Sequence, residues 1–181
     1  MNPIPDQVTA LLESLVTNLQ RILGAHLFGI YLYGSLTQKA FDPERSDIDL
    51  IVVMRRDLSE TQFKKLDAWL KRSVKSNPWT TQMQMLFLRR DEVLTMNAKA
   101  CLYQFGKLNR GSSDGNPIPW INILKSGVVL YGDDPVTFVP KITHRYCSKL
   151  LFVKWAICEK RSSKNSTANG AKFRNIRHMP S

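Results

Sequence analysis

Residues 47–54, DIDLIVVM, open with two acids in alternation and continue as an unbroken apolar run. Alternation suits a strand with one face toward water, whereas a run apolar on both faces suits a strand covered on both sides. This segment therefore predicts a strand exposed at its start and buried beyond it. Such a strand needs neighbouring strands and covering helices. The rest of the chain has to supply them.

It does so in order. Asp6 reads as a helix N-cap after Pro3 and Pro5, and Val8, Leu11, Leu12, Leu15, Val16, Leu19, Ile22 and Leu23 recur at helical spacing up to a stop at Gly24. The run LFGIYLY at 27–33 is rich in β-formers and predicts a strand ending at Gly34, followed by a polar loop over 35–46. Ser59 starts a second helix, with Phe63, Leu66, Trp69 and Leu70 on one face. The run QMQMLFL at 82–88 predicts a third strand, entered after the Asn77–Pro78 turn. A short helix is expected from Asp91. Residues 106–119 hold three Gly and two Pro and are expected to be loop. A helix over 120–125, a short strand and turn over 128–135 and a final apolar helix over 146–158 complete the prediction. The order α-β-β-α-β implies an α+β (α/β) fold, a small mixed β-sheet with helices packed on it and a partial helical C-terminal region.

Charge divides the chain. Of a net +11, residues 1–140 contribute only +2, from 16 Lys and Arg against 14 Asp and Glu. Residues 141–181 carry 10 Lys and Arg against Glu159 alone. The excess belongs to a Ser- and Asn-rich end, so it argues for a solvated basic tail rather than for a nucleic-acid partner. The expected organisation is a domain over 1–140, a remnant helix of a C-terminal helical domain over 141–159 and a basic, disordered tail over 160–181. Cys101, Cys147 and Cys158 cannot all pair with one another and show no CxxC spacing. They point to a reducing, cytoplasmic compartment and not to a disulfide framework or a zinc site. MNPIPDQV lacks a secretory n-region, and no apolar run approaches a membrane span.

The chemistry concentrates in YGSLTQKAFDPERSDIDLIVV, residues 33–53. Acids two residues apart on a strand share a face, their Cβ atoms about 6–7 Å apart. Unpaired carboxylates that close repel one another and raise at least one pKa. A divalent cation removes the conflict, and Mg²⁺ prefers oxygen-rich sites completed by water and phosphate. Gly34 and Ser35 follow a strand at a sharp turn, where glycine lets the backbone approach an anion and N–H and hydroxyl groups can donate to phosphate oxygens. A phosphate cradle at one strand end facing a metal pair at the next is equipment for metal-assisted phosphoryl or nucleotidyl transfer.

With these residues, the chain resembles the polymerase-beta-type nucleotidyltransferase superfamily, whose motif is GS followed by DxD. Within it, YLYGSL…FDPERSDIDLIVV is similar to the bacterial streptomycin/spectinomycin adenylyltransferase group. The likeness spans roughly residues 7–140 and continues through GVVLYGDDP at 127–135. It implies that Gly34 and Ser35 bind the nucleotide triphosphate, that Asp47 and Asp49 ligate two Mg²⁺ ions, and that Ser46 helps fix the phosphates. The spacer LTQKAFDPER lacks the glycine that the family places there. Lys39 or Ala40 occupies that region, and Lys39 is a candidate phosphate donor. Gln84, or failing it Gln82, stands where the family has a third carboxylate. A neutral amide is a poor Mg²⁺ ligand and no base near pH 7. The implied activity is Mg²⁺-dependent transfer of AMP from ATP to a hydroxyl of a small molecule such as an aminoglycoside antibiotic, with a resistance role. The rivals are a protein-modifying nucleotidyltransferase of the antitoxin type and a catalytically impaired nucleotide-binding remnant.

Overall fold

The computed structural model describes residues 4–143, and the compact unit that ends at Lys141 carries every element named below. The sequence expectations for 144–181, including the helix at 146–158 and the basic tail, lie outside the described residues.

Helix α1 (Asp6–Leu23) buries Val8, Leu11, Leu15, Leu19 and Leu23 along one stripe. Pro5, not Asp6, is its N-cap, and no side chain caps it. The fixed φ of proline suits the first turn, and Asp6 instead places its charge at the positive end of the helix dipole. Gly24 ends the helix at φ +53, a left-handed conformation that glycine adopts at no steric cost. Helix α2 (Glu60–Ser76) starts with a complete capping box. The Ser59 hydroxyl accepts from the Gln62 N–H while the Gln62 side chain accepts from the Ser59 N–H.

Six strands form one sheet: β1 (Leu27–Tyr33), β2 (Ile48–Met54), β3 (Met83–Arg89), β4 (Met96–Gln104), β5 (Lys107–Asp114) and β6 (Val128–Gly132). Their order is β5-β4-β3-β2-β1-β6. Only β2 and β3 run parallel, joined by the α2 crossover, and every other pair is antiparallel. Ile30 and Leu32, Leu50 and Val52, and Met83, Met85 and Phe87 share one core with the apolar stripes of α1 and α2. Truncating one such residue, Leu15→Ala for example, costs about 2–5 kcal/mol. On the opposite face α3 (Ile118–Ser126) buries Trp120, whose ring stands 6.3 Å from that of Tyr31 and 6.0 Å from that of Phe138. The sheet is thus covered on both sides at its centre, as the wholly apolar run after Asp49 requires.

Two further expectations fail. The segment from Asp91 is not a helix: Arg90–Glu92 form one 3₁₀ turn, and the chain re-enters the sheet as β4. Residues 106–119 are not loop throughout, because Lys107–Asp114 are β5, the outermost strand, and Ile118 already belongs to α3. β4 and β5 are closed by the pair Gln104 and Lys107 around a two-residue turn. Both turn residues, Phe105 at φ +51 and Gly106 at φ +73, are left-handed, which is the tight hairpin turn whose twist matches the strands.

Candidate active site

The sheet register assembles the site. Antiparallel pairing sets Tyr33, the last residue of β1, opposite Asp49, and parallel pairing sets Asp49 beside Gln84. Residues paired across a ladder share a face, so Asp49 and Gln84 point to the same side of the sheet. Gly34 then turns the chain at φ +81, and a Cβ built on it would overlap the Asp49 carboxylate. Glycine is needed there twice over, for the left-handed turn and for the space.

The turn after Gly34 is held by its own backbone. Thr37 and Gln38 N–H groups donate to Gly34 O at 3.2 Å each, and Ala40 N–H donates to Ser35 O at 3.0 Å. Lys39 lies on the exposed outside of this turn at φ +59. That is the conformation a glycine favours, which gives a backbone reason for the glycine that the spacer lacks. Phe41 is buried, its ring 5.8 Å from that of Trp79, and pins the loop to the body. The Ser46 hydroxyl accepts from the Asp42 N–H at 2.9 Å and the Ser46 N–H donates to Asp42 O at 2.8 Å. Ser46 therefore clamps the loop that delivers Asp47 to the site.

Asp47 is exposed and Asp49 half-buried. The Gln84 amide donates from Nε2 to Asp47 Oδ2 at 2.5 Å, which ties β3 to the start of β2. Burial, and then the nearby charge of Asp47, push the Asp49 carboxyl up to about 6. Burial and Asp49 in turn push the Tyr33 phenol upward. Gln82 ends the 3₁₀ turn Pro78–Gln82 ahead of β3 and is not in the ladder, so Gln84 is the amide that stands beside Asp49. Gly34, Asp47, Asp49 and Gln84 come together, with Ser35 next to them. Lys39 sits out on the turn.

The donor set suits a hard cation. Two carboxylates on one side, one of them held back from ionisation by burial and then by the other, are the arrangement that a divalent ion stabilises. No group of three His, Cys, Asp or Glu side chains gathers among the described residues, so water and phosphate oxygens would complete the coordination. The hairpin turn at Phe105 and Gly106 lies at this same end of the sheet, since β4 runs back along β3 from Leu88 opposite Ala100 to Met85 opposite Tyr103. A Cβ on Gly106 would lie 3.7 Å from Thr81 Cγ2. The sequence reading missed this hairpin. Its signal was a glycine directly after an alternating run.

Residues 12–84 match the family model of the nucleotidyltransferase domain. The spectinomycin 9-adenylyltransferase of Campylobacter jejuni is 24% identical over 169 residues, covering 83% of this chain and 62% of that protein. The crystal structure of spectinomycin adenyltransferase AAD(9) from Enterococcus faecialis, with ATP and spectinomycin, superposes with a TM-score of 0.60 at 15% identity. That match covers 78% of this chain and 63% of the other. The chain thus spans somewhat less than two thirds of the length of these relatives. Over residues 12–84 the chain is similar to nucleotidyltransferase domains, and the mixed sheet that holds the paired carboxylates has the fold of the spectinomycin adenyltransferase structure.

Proposed function

We propose that the chain is an Mg²⁺-dependent nucleotidyltransferase that moves AMP from ATP to a hydroxyl of a small acceptor, an aminocyclitol or aminoglycoside antibiotic such as spectinomycin. The observation that carries the reading is the meeting of Gly34, Asp47 and Asp49 at one end of the sheet, with the Asp49 carboxyl pushed up to about 6. Asp47 and Asp49 are the residues to hold Mg²⁺, two ions by the resemblance. The metal supplies charge neutralisation as the phosphoryl oxygens become more negative.

The chain's own groups do the rest. The missing Cβ of Gly34 lets the triphosphate approach the turn closely, and the Ser35 N–H and hydroxyl donate to its oxygens. Ser46 keeps the loop and therefore Asp47 in place, and Lys39 offers a cation from the turn. Gln84 positions Asp47 through its amide and accepts no proton near pH 7, so deprotonation of the acceptor hydroxyl has little help from this position. The reaction expected is real and slow.

Titration calorimetry with ATP, with and without Mg²⁺, followed by mass spectrometry of spectinomycin incubated with both, tests the proposal. Mg²⁺-dependent ATP binding and an AMP adduct of the antibiotic are the expected results. ATP binding that ignores Mg²⁺, or no binding at all, refutes the metal-dependent transfer.

A further inference from the structure

We propose that Arg55 and Arg90 form a second anion-binding site, at the end of the sheet away from the carboxylates, and that it takes a phosphomonoester carrying a flat apolar group. This site is separate from the nucleotide site and stands whether or not the transferase reading holds.

The sheet brings the two arginines together. The parallel ladder of β2 and β3 ends at Met54 beside Arg89, and Arg55 and Arg90 are the next residues along each chain. Adjacent strands lie about 5 Å apart, so two like charges start side by side. They are in phase with Val53 and Leu88, which share a ladder face with Tyr31 and therefore the side of the sheet that α3 covers. A break in register delivers Phe28 to the same place. Leu27 pairs with Met54 but Gly29 with Val53, which makes Phe28 an extra residue, and a bulge of this kind re-aims a side chain. The buried ring of Phe28 stands edge-on to that of Phe138 at 5.1 Å. Both guanidiniums lie over it, Arg55 at 5.0 Å and Arg90 at 4.7 Å from its centre.

One ring is a poor partner for two cations. Its face attracts each guanidinium but carries no net charge to offset their repulsion. Arg110 shows the compensated case, since it stacks on Phe63 and also donates to Glu60 Oε2 at 2.8 Å. Among the described residues neither Arg55 nor Arg90 has an ion pair. With Phe138, Pro140 and Asp91 they line a cleft of about 510 Å³, a volume that suits a small organic ligand. The Asp91 carboxylate is held by Arg89, and Asp133 and Asp134, whose charges reach the neighbouring Tyr31 phenol, form no ion pair with either arginine. The cleft thus presents two guanidinium forks beside an apolar wall. Such forks match phosphate oxygens, and two of them favour a dianion, the state of a phosphomonoester above pH ~6. Phe138 and Pro140 receive the apolar part of the ligand. Six residues of strand, about 20 Å, separate Arg55 from Asp49. The cleft lies at the carboxyl ends of the parallel pair, where open α/β sheets place ligands.

The test is titration calorimetry of the full chain at pH 8 with phenyl phosphate and with inorganic phosphate, each with and without saturating ATP and Mg²⁺. Arg55→Gln, Arg90→Gln, Arg90→Lys and, as a control on the exposed side of α2, Arg72→Gln are compared with the wild type. Phenyl phosphate should bind the wild type at least about fivefold more tightly than inorganic phosphate, and ATP with Mg²⁺ should not displace it. Each Gln variant should weaken it about tenfold or more and Arg90→Lys severalfold, because lysine keeps the charge and loses the fork. Arg72→Gln should stay within about twofold. No binding to the wild type overturns the proposal, as does equal affinity for the two phosphates. Displacement by ATP overturns it by moving the ligand to the nucleotide site, and an equal loss in Arg72→Gln by reducing it to general surface charge. Lower melting temperatures in both Gln variants with unchanged phenyl phosphate affinity overturn it too, since the arginines would then only prop Phe28.

Discussion

Replacing Asp49 by Asn in the metal-free protein is expected to stabilise it, and to do so only above a defined pH. The carboxyl titrates near 3.8 in the unfolded chain and at about 6 in the folded one, raised first by burial and then by Asp47. Below 3.8 it is protonated in both states and costs nothing. Between 3.8 and 6 the unfolded chain releases its proton while the folded chain keeps it, so folding loses stability as pH rises. Above 6 the whole penalty is present. A rise of about two units corresponds to about 3 kcal/mol, and roughly half of that survives solvent screening at a site this open. For a chain of this length that amounts to a melting temperature about 3–6 °C higher for Asp49→Asn at pH 8. The gain should fade toward pH 4. Differential scanning fluorimetry from pH 4 to 8, with and without excess Mg²⁺, reads the effect directly. Mg²⁺ should raise the wild type toward the variant and leave the variant unmoved. Equal melting temperatures for the two proteins at pH 8, or an equal response to Mg²⁺, would refute the coupled carboxylate pair.

Two further outcomes separate residues that the site places close together. Gln84→Glu should raise Mg²⁺-dependent transfer at least tenfold, toward the ~10²–10⁴-fold typical of a positioned base, while Gln82→Glu, outside the ladder, should leave the rate unchanged in the same pyrophosphate-release assay. Lys39→Gly removes a left-handed lysine and should stabilise the fold by up to about 1 kcal/mol in urea unfolding. Its ATP affinity should fall severalfold, and an unchanged affinity would exclude Lys39 from the phosphate site.

Helices α1 and α2 and strands β1 and β2 were legible because each states its period and its stop. The apolar stripe from Val8 to Leu23 ends at a glycine, and the run after Asp49 is apolar on both faces because helices cover both. β5 was illegible for the opposite reason. An edge strand need satisfy only one neighbour, and in KLNRGSSD just Leu108 and Ser113 are buried, so the segment has the composition of a loop. Asp91 and Glu92 look like a helix start, but Arg89 reaches forward to pair with Asp91, and Met96, Ala98 and Ala100 alternate weakly into β4. The site motif could be read because its parts are close in sequence. The choice of Gln84 over Gln82 could not, since it depends on where the 3₁₀ turn ends and the ladder begins.

Gln84 also bears on the stability of the metal-free protein. The two carboxylates already oppose each other at the head of the best-buried strand, where Ile48 and Leu50 on either side of Asp49 are inaccessible to solvent. That core holds the pair in place against the repulsion. An amide at position 84 adds no third negative charge and donates a hydrogen bond to Asp47, which offsets part of the cost. A glutamate there would supply a base and a stronger cation site, but without metal it would add its own repulsion to that of Asp47 and Asp49. The same substitution that raises the rate should therefore lower the melting temperature of the metal-free protein, and Mg²⁺ should restore it. At this position catalytic power and metal-free stability are set against each other, and this chain lies toward stability.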